Sequence, residues 1–537
     1  MNLIQRAQTR VKRELALRRN YRRVGELTAE IDSAAPASAS TGGQPVIFFN
    51  ASTRLSGLSQ NAGFSLVSSL ALRRAGIPVV HFVSQCGLSH CVLGTDKDHA
   101  HNPPPCAECT RTSSLIFEGA RVQPFTFQKD EALAAHLDSL SLDELLQVTW
   151  QDIPLGRLVL PSLRWVLRIH HLKDDEPTRY LAREFMLSAY HLAREFMALI
   201  DRTNPLAVVV FNGMFYPEGT ARWVAQRRGL PVYSHEVGML PLSAFFTAEE
   251  ATAYPVKVDE AFQLNDEQNA HLDAYLNQRT QGKFVTAGVQ FWPEMRELDD
   301  AFWGRAEQFK AVVPVFTNVV FDTSQGHANV VFEHMFAWLD LVLEEIKAHP
   351  EIFFVIRAHP DEERPGKESR ETVSQWIKAR NVEALPNVLF IGPRQFISSY
   401  ELIAHAKFVM VYNSTVGLES SVLGKPVLCA GKARYTQIPT VFFPQSEQQY
   451  RSQLRAFLAA ETVEHPDEFR RNGRRVLYSQ LFRASLPFGD FLEEDGVWKG
   501  YVRLKDFKTA ALDPQNSATL QVVLDGILKG KPFILDL

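Results

Sequence analysis

Twice along this chain, short apolar runs alternate with stretches of helical period, and that alternation constrains the fold more than any other feature. "VIFFN" (46–50) is short and apolar enough for a buried strand. "QNAGFSLVSSLALRRAG" follows with helical spacing and a closing glycine, and "IPVVHFV" (77–83) is a second strand-like run. Strand, helix and strand in that order make a βαβ unit, which implies a parallel sheet with helices on its faces. A helical region over 129–201 comes next, in which "LAREFM" recurs after eleven residues. That interval is about three helical turns, an echo of helix composition rather than a repeat architecture. "PLAVVVFNGMFYPEGTARWVAQRRGLPVYSHEVG" then resumes the strand–helix–strand rhythm.

A second series runs from "AVVPVFTNVVFD" (311–322) through "IFFVIRAHP", "NVLFIG" and "KFVMVYNST" to "KPVLCAG". The pattern reads as an α/β chain of two doubly wound, Rossmann-like units facing a cleft. Its expected divisions are a basic helix and flexible linker (1–45), a first unit (46–300), a second unit (301–485) and a tail (486–537). With 537 residues the chain is too long for a single core, which agrees with that division. Ligands of such sheets bind beyond the carboxyl ends of the strands. The loops at 212–219, 235–238, 317–325, 357–362 and 413–419 are therefore where chemistry is expected.

Charge excludes some function classes. The 57 basic and 61 acidic residues leave a net charge of −4, with no global attraction to nucleic acid. Apolar stretches such as "LGRLVLPSLRWVLRI" are interrupted by arginine, so no membrane-spanning run is expected. The amino terminus lacks the apolar core and small-residue cleavage site of a secretory signal, which points to the cytoplasm. Residues 1–24 carry eight Lys or Arg against one Glu, with Leu3, Ile4, Val11, Leu15 and Leu17 giving a helix a weak apolar side. Such a helix suits peripheral contact with the inner face of a cell membrane, and suits a solvated helix equally. "SAAPASASTGGQP" (33–45) has linker composition.

Within the second unit, "VMVYNSTVGLESSVLGKPVL" (409–428) drives a buried strand straight into Asn413, Ser414 and Thr415 and then into a helix. Hydroxyl residues at a helix start cap its orphan N–H groups, and the same N–H groups with the helix dipole make an anion site. Glu419, one turn further, is placed to accept from ribose hydroxyls. "VIRAHPDEERP" (355–365) adds Arg357 and His359 at another strand end, with Pro360 keeping His359 extended. "FTNVVFDTSQ" supplies Thr317, Asn318 and Asp322 at a third. The glycine spacing excludes a P-loop, no G-x-G-x-x-G occurs, and "SHEVG" lacks the second histidine of a zincin.

Through "FTNVVFD", "RAHP" and "NSTVGLESSVLGKPV" the chain resembles bacterial capsule and surface-polysaccharide biosynthesis proteins of the GT-B glycosyltransferase type. The resemblance covers about 313–431. It implies a glycosyltransferase that moves sugar from a nucleotide-sugar donor onto a polysaccharide or lipid-linked glycan of capsule or lipopolysaccharide type, without an organic cofactor. It assigns the donor phosphate to His359, Ser414 and Thr415, with Thr317, Asn318, Arg357, Asn413 and Glu419 alongside. A CDP-polyol phosphotransferase of cell-wall polymer synthesis would use the same loops, and some nucleotide-sugar epimerases share the two-unit fold. The tail is expected, by analogy with such folds, to pack back on the first unit. An inverting transfer also needs a base at the acceptor hydroxyl. Glu218, His235 and Glu236, at strand ends of the first unit, are the candidates.

Four of the five cysteines fall in "QCGLSHCVLGTDKDHAHNPPPCAECT" as Cys86, Cys91, Cys106 and Cys109. The C-x4-C-x14-C-x2-C spacing suits a closed structural zinc site, which would leave no open position for substrate. An iron–sulfur cluster, a redox disulfide and free thiols are the alternatives. A zinc-bearing nucleic-acid-binding protein is the reading from another class, opposed by the charge balance and by the lack of a basic, aromatic-interleaved patch near the cluster.

Overall fold

Apolar runs buried on both faces are the mark of a parallel sheet, and the strand interiors behave accordingly. The computed structural model describes residues 3–34, 43–52, 57–117, 120–280 and 296–536. In these residues a seven-stranded sheet is built from β1 (Val46–Asn50), β2 (Val79–Ser84), β3 (Arg121–Phe125), β4 (Ala207–Phe211), β5 (Val232–Val237), β6 (Ser243–Thr247) and, far later, β12 (Leu486–Pro487). A five-stranded sheet comprises β7 (Ala311–Phe316), β8 (Ile352–Arg357), β9 (Val388–Ile391), β10 (Val409–Val411) and β11 (Val427–Cys429). Every residue of β1 and of β8 is buried.

The two sheets share one topology. Their orders are β12-β6-β5-β4-β1-β2-β3 and β11-β10-β7-β8-β9, so each contains the series third–second–first–fourth–fifth in parallel. Strand order therefore reverses between β1 and β4 in one sheet, and between β7 and β10 in the other. A crevice opens beyond the carboxyl ends at such a switch point. Two doubly wound Rossmann-like units facing a cleft form the GT-B arrangement.

In these two sheets, three strands have no counterpart in the sequence expectation. β3 is a mostly exposed edge strand, while β6 and β12 add antiparallel to the first sheet, Leu486 opposite Ala244. β12 carries the tail back to the first unit, where helix Ala518–Lys529 packs on helix Gln60–Arg74. Leu520, Val523 and Ile527 share a core with Phe64 and Val67. The amino-terminal helix, Leu3–Ala34, enters the same core through Val24, Leu27 and Ile31. Asn20 pins it, donating to the Val502 carbonyl at 3.2 Å and accepting from Leu504 N–H at 2.9 Å. Val11 and Leu15 do not share this packing, and both are exposed. The linker expected at 33–45 falls mainly on residues outside those described, as does the middle of the bridge between the units (281–295). No helix among the described residues is long and apolar enough to cross a membrane.

Candidate functional site

The crevice of the second sheet holds most of the polar strand-end residues. A cavity of about 480 Å³ lies between the units, lined on the second by Asn318, His359, Asn413, Ser414, Thr415 and the loop after β11. Its first-unit wall is 249–257, the segment that follows β6. Helix Thr415–Val422 starts directly after β10, and Ser414 at its N-cap makes no side-chain cap hydrogen bond. The hydroxyl and the helix start thus both face a space large enough for a ligand.

The loop is fixed from behind. Tyr435, buried, donates its hydroxyl to the Ser414 carbonyl at 2.6 Å. Gly417 makes room for that contact: a Cβ there would stand 2.4 Å from the Tyr435 oxygen and 2.9 Å from Val411 Cγ2. From the side, the Asn413 N–H donates to Asn318 Oδ1 at 3.3 Å, and Gln325 donates to Asn413 Oδ1 at 3.2 Å. Three strand-end loops are therefore tied into one wall before any ligand arrives.

His359 completes that wall with a defined tautomer. Its Nδ1 accepts from Asp361 N–H at 3.1 Å, so the neutral ring carries its proton on Nε2. Burial holds its pKa below the ordinary imidazole value, against the opposing pull of Asp361 and Asp322. The imidazole is thus a neutral donor at neutral pH. Lys257, Lys432 and Arg434 bring positive charge to the same lining, beside the carboxylates of Glu249, Glu250 and Asp322. Arg434 lies over the Tyr254 ring at 4.5 Å, which orients its guanidinium. Lys432, Arg434 and Tyr435 follow β11 directly, so the strand-end rule applied to "KPVLCAGKARY" would have found them.

Three residues expected at the donor do not line this cavity. Thr317 is buried, and both its hydroxyl and its N–H reach the Arg357 carbonyl, at 3.0 and 3.1 Å, tying β7 to β8. Arg357 is 3% exposed, and burial lowers its guanidinium pKa to about 10. Glu419 accepts from Arg279 Nε at 2.7 Å and from the Tyr400 hydroxyl at 2.6 Å. Its carboxylate is spent in a buried ion pair, a correction to its expected place at a ribose.

The first crevice is chemically different. A small cavity of about 40 Å³ is lined by Phe49, Asn50, Asn61, Phe215, Glu218 and His235, among others. Burial pushes the Glu218 carboxyl up to about 8 and the His235 imidazole down to about 3, so both are neutral at pH 7. An imidazole this weak is a poor proton acceptor, whereas a raised carboxyl keeps Glu218 a candidate base. Glu236, adjacent in sequence but on the other face of β5, accepts from Asn61 Nδ2 (2.8 Å), Asn212 Nδ2 (3.2 Å) and Val237 N–H (2.9 Å). Those donors orient a carboxylate at the strand end.

The thiols form a group beside that crevice. Cys106 and Cys109 lie in the first turn of helix Cys106–Ile116, and Cys91 lines the small cavity. Cys106 is hydrogen-bonded to Cys86 and lies near Cys109, and Cys91 lies near Cys106 and Cys109. Burial raises the Cys91 thiol to about 12 and Cys106 to about 11. As arranged, no group of three or more His, Cys, Asp or Glu among the described residues could hold a metal ion.

Residues 257–443 match the protein family described as "Capsule polysaccharide biosynthesis protein". The matched segment lies mostly in the second unit. Most of the cavity lining, from Lys257 to Gln437, falls inside it. No curated protein matches the chain. Among solved structures, the Thermosulfurimonas dismutans KpsC beta Kdo 2,4 transferase aligns at 13% identity over 51% of this chain and 79% of that one, with a TM-score of 0.34. UDP-GlcNAc 2-epimerase from Neisseria meningitidis, bound to UDP-GlcNAc, aligns at 12% identity over 80% and 97% of the chains, with a TM-score of 0.24. The sucrose-phosphate synthase of Thermosynechococcus elongatus aligns at 14% over 82% and 95%, with a TM-score of 0.28.

Proposed function

We propose that the chain is a glycosyltransferase that passes sugar from a nucleotide donor to a growing surface polysaccharide of capsule or lipopolysaccharide type. The observation that carries this reading is the cavity between the units, where the His359 Nε2–H, the uncapped helix start at Ser414–Thr415, Lys432 and Arg434 converge. Leaving-phosphate charge develops as the glycosidic bond breaks, and preorganised donors aimed at it lower the barrier most. His359, the helix N–H groups and the two cations supply that stabilisation from the chain itself. Asn318 and Asn413 keep the wall in register. On the opposite unit Glu236, oriented by Asn61 and Asn212, takes the proton of the attacking acceptor hydroxyl in an inverting transfer. The acceptor glycan enters from the first unit, where the thiol group has a structural part, whether or not zinc fills it.

Nucleotide binding is the first test. Thermal-shift titration with CMP, CDP, UDP and GDP should show stabilisation by at least one, lost in His359→Ala with the apo melting temperature preserved. A base-specific shift also narrows the donor: a CDP response with polyol-phosphate turnover would favour the phosphotransferase reading. A shift unaltered in His359→Ala would remove His359 from the site.

A further inference from the structure

Away from the cavity, a second junction joins the units and reaches back to the same wall. Helix Leu155–Leu167 ends at Arg168 in the left-handed region (φ 62°), and the chain then presents His170 and His171 to the second unit. Glu371 Oε2 accepts from the backbone N–H of His170 at 2.8 Å and of His171 at 3.0 Å, while Oε1 lies 2.5 Å from His171 Nδ1. His171 Nε2 stands 3.1 Å from Nε2 of His334, the N-cap of helix Met335–Ala348. His334 Nδ1 in turn accepts from Ala337 N–H at 3.1 Å.

These contacts admit one arrangement of protons. His334 Nδ1 is an acceptor, so the neutral ring bears its proton on Nε2 and donates it to His171. His171 Nε2 is then bare, and its proton sits on Nδ1, facing Glu371. The chain Ala337→His334→His171→Glu371 has a donor and an acceptor at every link. Both nitrogens of His334 are thereby engaged, which leaves it no lone pair for a metal.

The start of this helix also supports the nucleotide wall. Met335, next to His334, receives the Asn318 N–H on its sulfur at 3.1 Å, and Asn318 in turn holds Asn413. His170 is hydrogen-bonded to the backbone of Val320 in the same loop. We propose that His334 is a positioning residue: the proton-ordered chain holds the 318–323 loop and the 413–415 loop in register, and a proton added to His334 breaks its cap on Ala337 and loosens both. That proton sets His334 Nδ1–H against Ala337 N–H. Two donors then face each other and the link to the helix start must break.

The groups that face the pair fix the direction with pH. On the first unit these are Arg164 and His170, and on the second Glu333, Asp340 and Glu371. Burial, then His171, lowers the His334 pKa against the pull of the three carboxylates. Burial, then Arg164, holds His170 at about 3, so it stays neutral throughout. A group depressed in the linked state keeps the link intact above the ordinary imidazole value of about 6.5, and loses it as pH falls below that value.

The meaning for catalysis rests on the nucleotide reading above, but the chain itself does not, so the test uses the ligand-free protein. Hydrogen–deuterium exchange, corrected for intrinsic rates, is followed in peptides covering 318–323 and 335–338 at pH 7.5 and 5.5. Wild type should exchange about tenfold faster at the lower pH, the size expected for one lost hydrogen bond at a charged group. His334→Asn keeps an efficient helix cap but does not titrate, and should show no acceleration. Equal exchange at both pH values in wild type, or acceleration that persists in His334→Asn, overturns the proposal.

Discussion

The two crevices have the same strand order and different chemistry. Beyond β1 and β4 lies a small cavity of about 40 Å³, where Phe49, Phe211 and Phe215 join Asn50, Asn61 and the Glu218 and His235 side chains, both held neutral by burial. Beyond β7 and β10 lies a larger cavity of about 480 Å³ with a neutral donor imidazole, an uncapped helix start and two cations from the loop after β11. Topology decides where a doubly wound unit can bind, and side-chain charge and burial decide what it binds. The second crevice gathers the donors and cations of a candidate anion site, with Glu249, Glu250 and Asp322 in the same lining. Beside the first, Glu236 is held as an oriented carboxylate.

The sharpest way to break this contrast concerns Glu419, which shares the second crevice's helix but not its cavity. Arg279→Ala leaves its carboxylate buried with only Tyr400, and breaking a buried pair costs about 3–5 kcal/mol. Denaturant unfolding should show that loss. An unchanged midpoint together with lost nucleotide binding would return Glu419 to the ribose. Gly417→Ala comes next. Its Cβ collides with the Tyr435 hydroxyl that braces Ser414, an overpacking of about 1–3 kcal/mol that should also weaken the nucleotide response.

In the first crevice the contrast is sharpened by pH. The Glu218 carboxyl is raised to about 8 in the folded chain, so burial of the neutral acid costs nothing extra below its unfolded value of about 4.3. Stability is lost progressively as pH rises from there through 8, where the folded group finally ionises. Glu218→Gln should flatten that part of the stability–pH curve, checked by thermal melts across pH 4 to 9. A curve that keeps its full slope would mean Glu218 is charged and its cavity polar. The smallest effect is expected from Cys106→Ser. It should lower the melting temperature while leaving the nucleotide-induced shift unchanged, and metal analysis of protein purified without added zinc tells whether a bound ion is also lost.

Much of this was legible in the sequence. Continuous apolar runs such as "VIFFN" and "IFFVI" can hardly be anything but buried strands, and polar residues at their ends mark the loops that line the open cavity. What could not be read is which polar residue at a strand end faces the cleft and which lies beneath it. Thr317 and Asn318 are neighbours in one loop, yet one bonds the next strand and the other lines the cavity. Glu419 carries no local sign of Arg279, 140 residues earlier, and the distance in sequence hides the pair. β12, two residues long, has no period to detect, and only the tertiary pairing of Leu486 with Ala244 reveals it.

The contrast between the crevices is tested most directly by a protection footprint. Hydrogen exchange of the full chain is compared with and without the nucleotide that gives the largest thermal shift. Added protection is expected at 359–361 and 413–417, with 48–52 and 211–218 unchanged. Protection confined to the first crevice, with 413–417 unaltered, would contradict it.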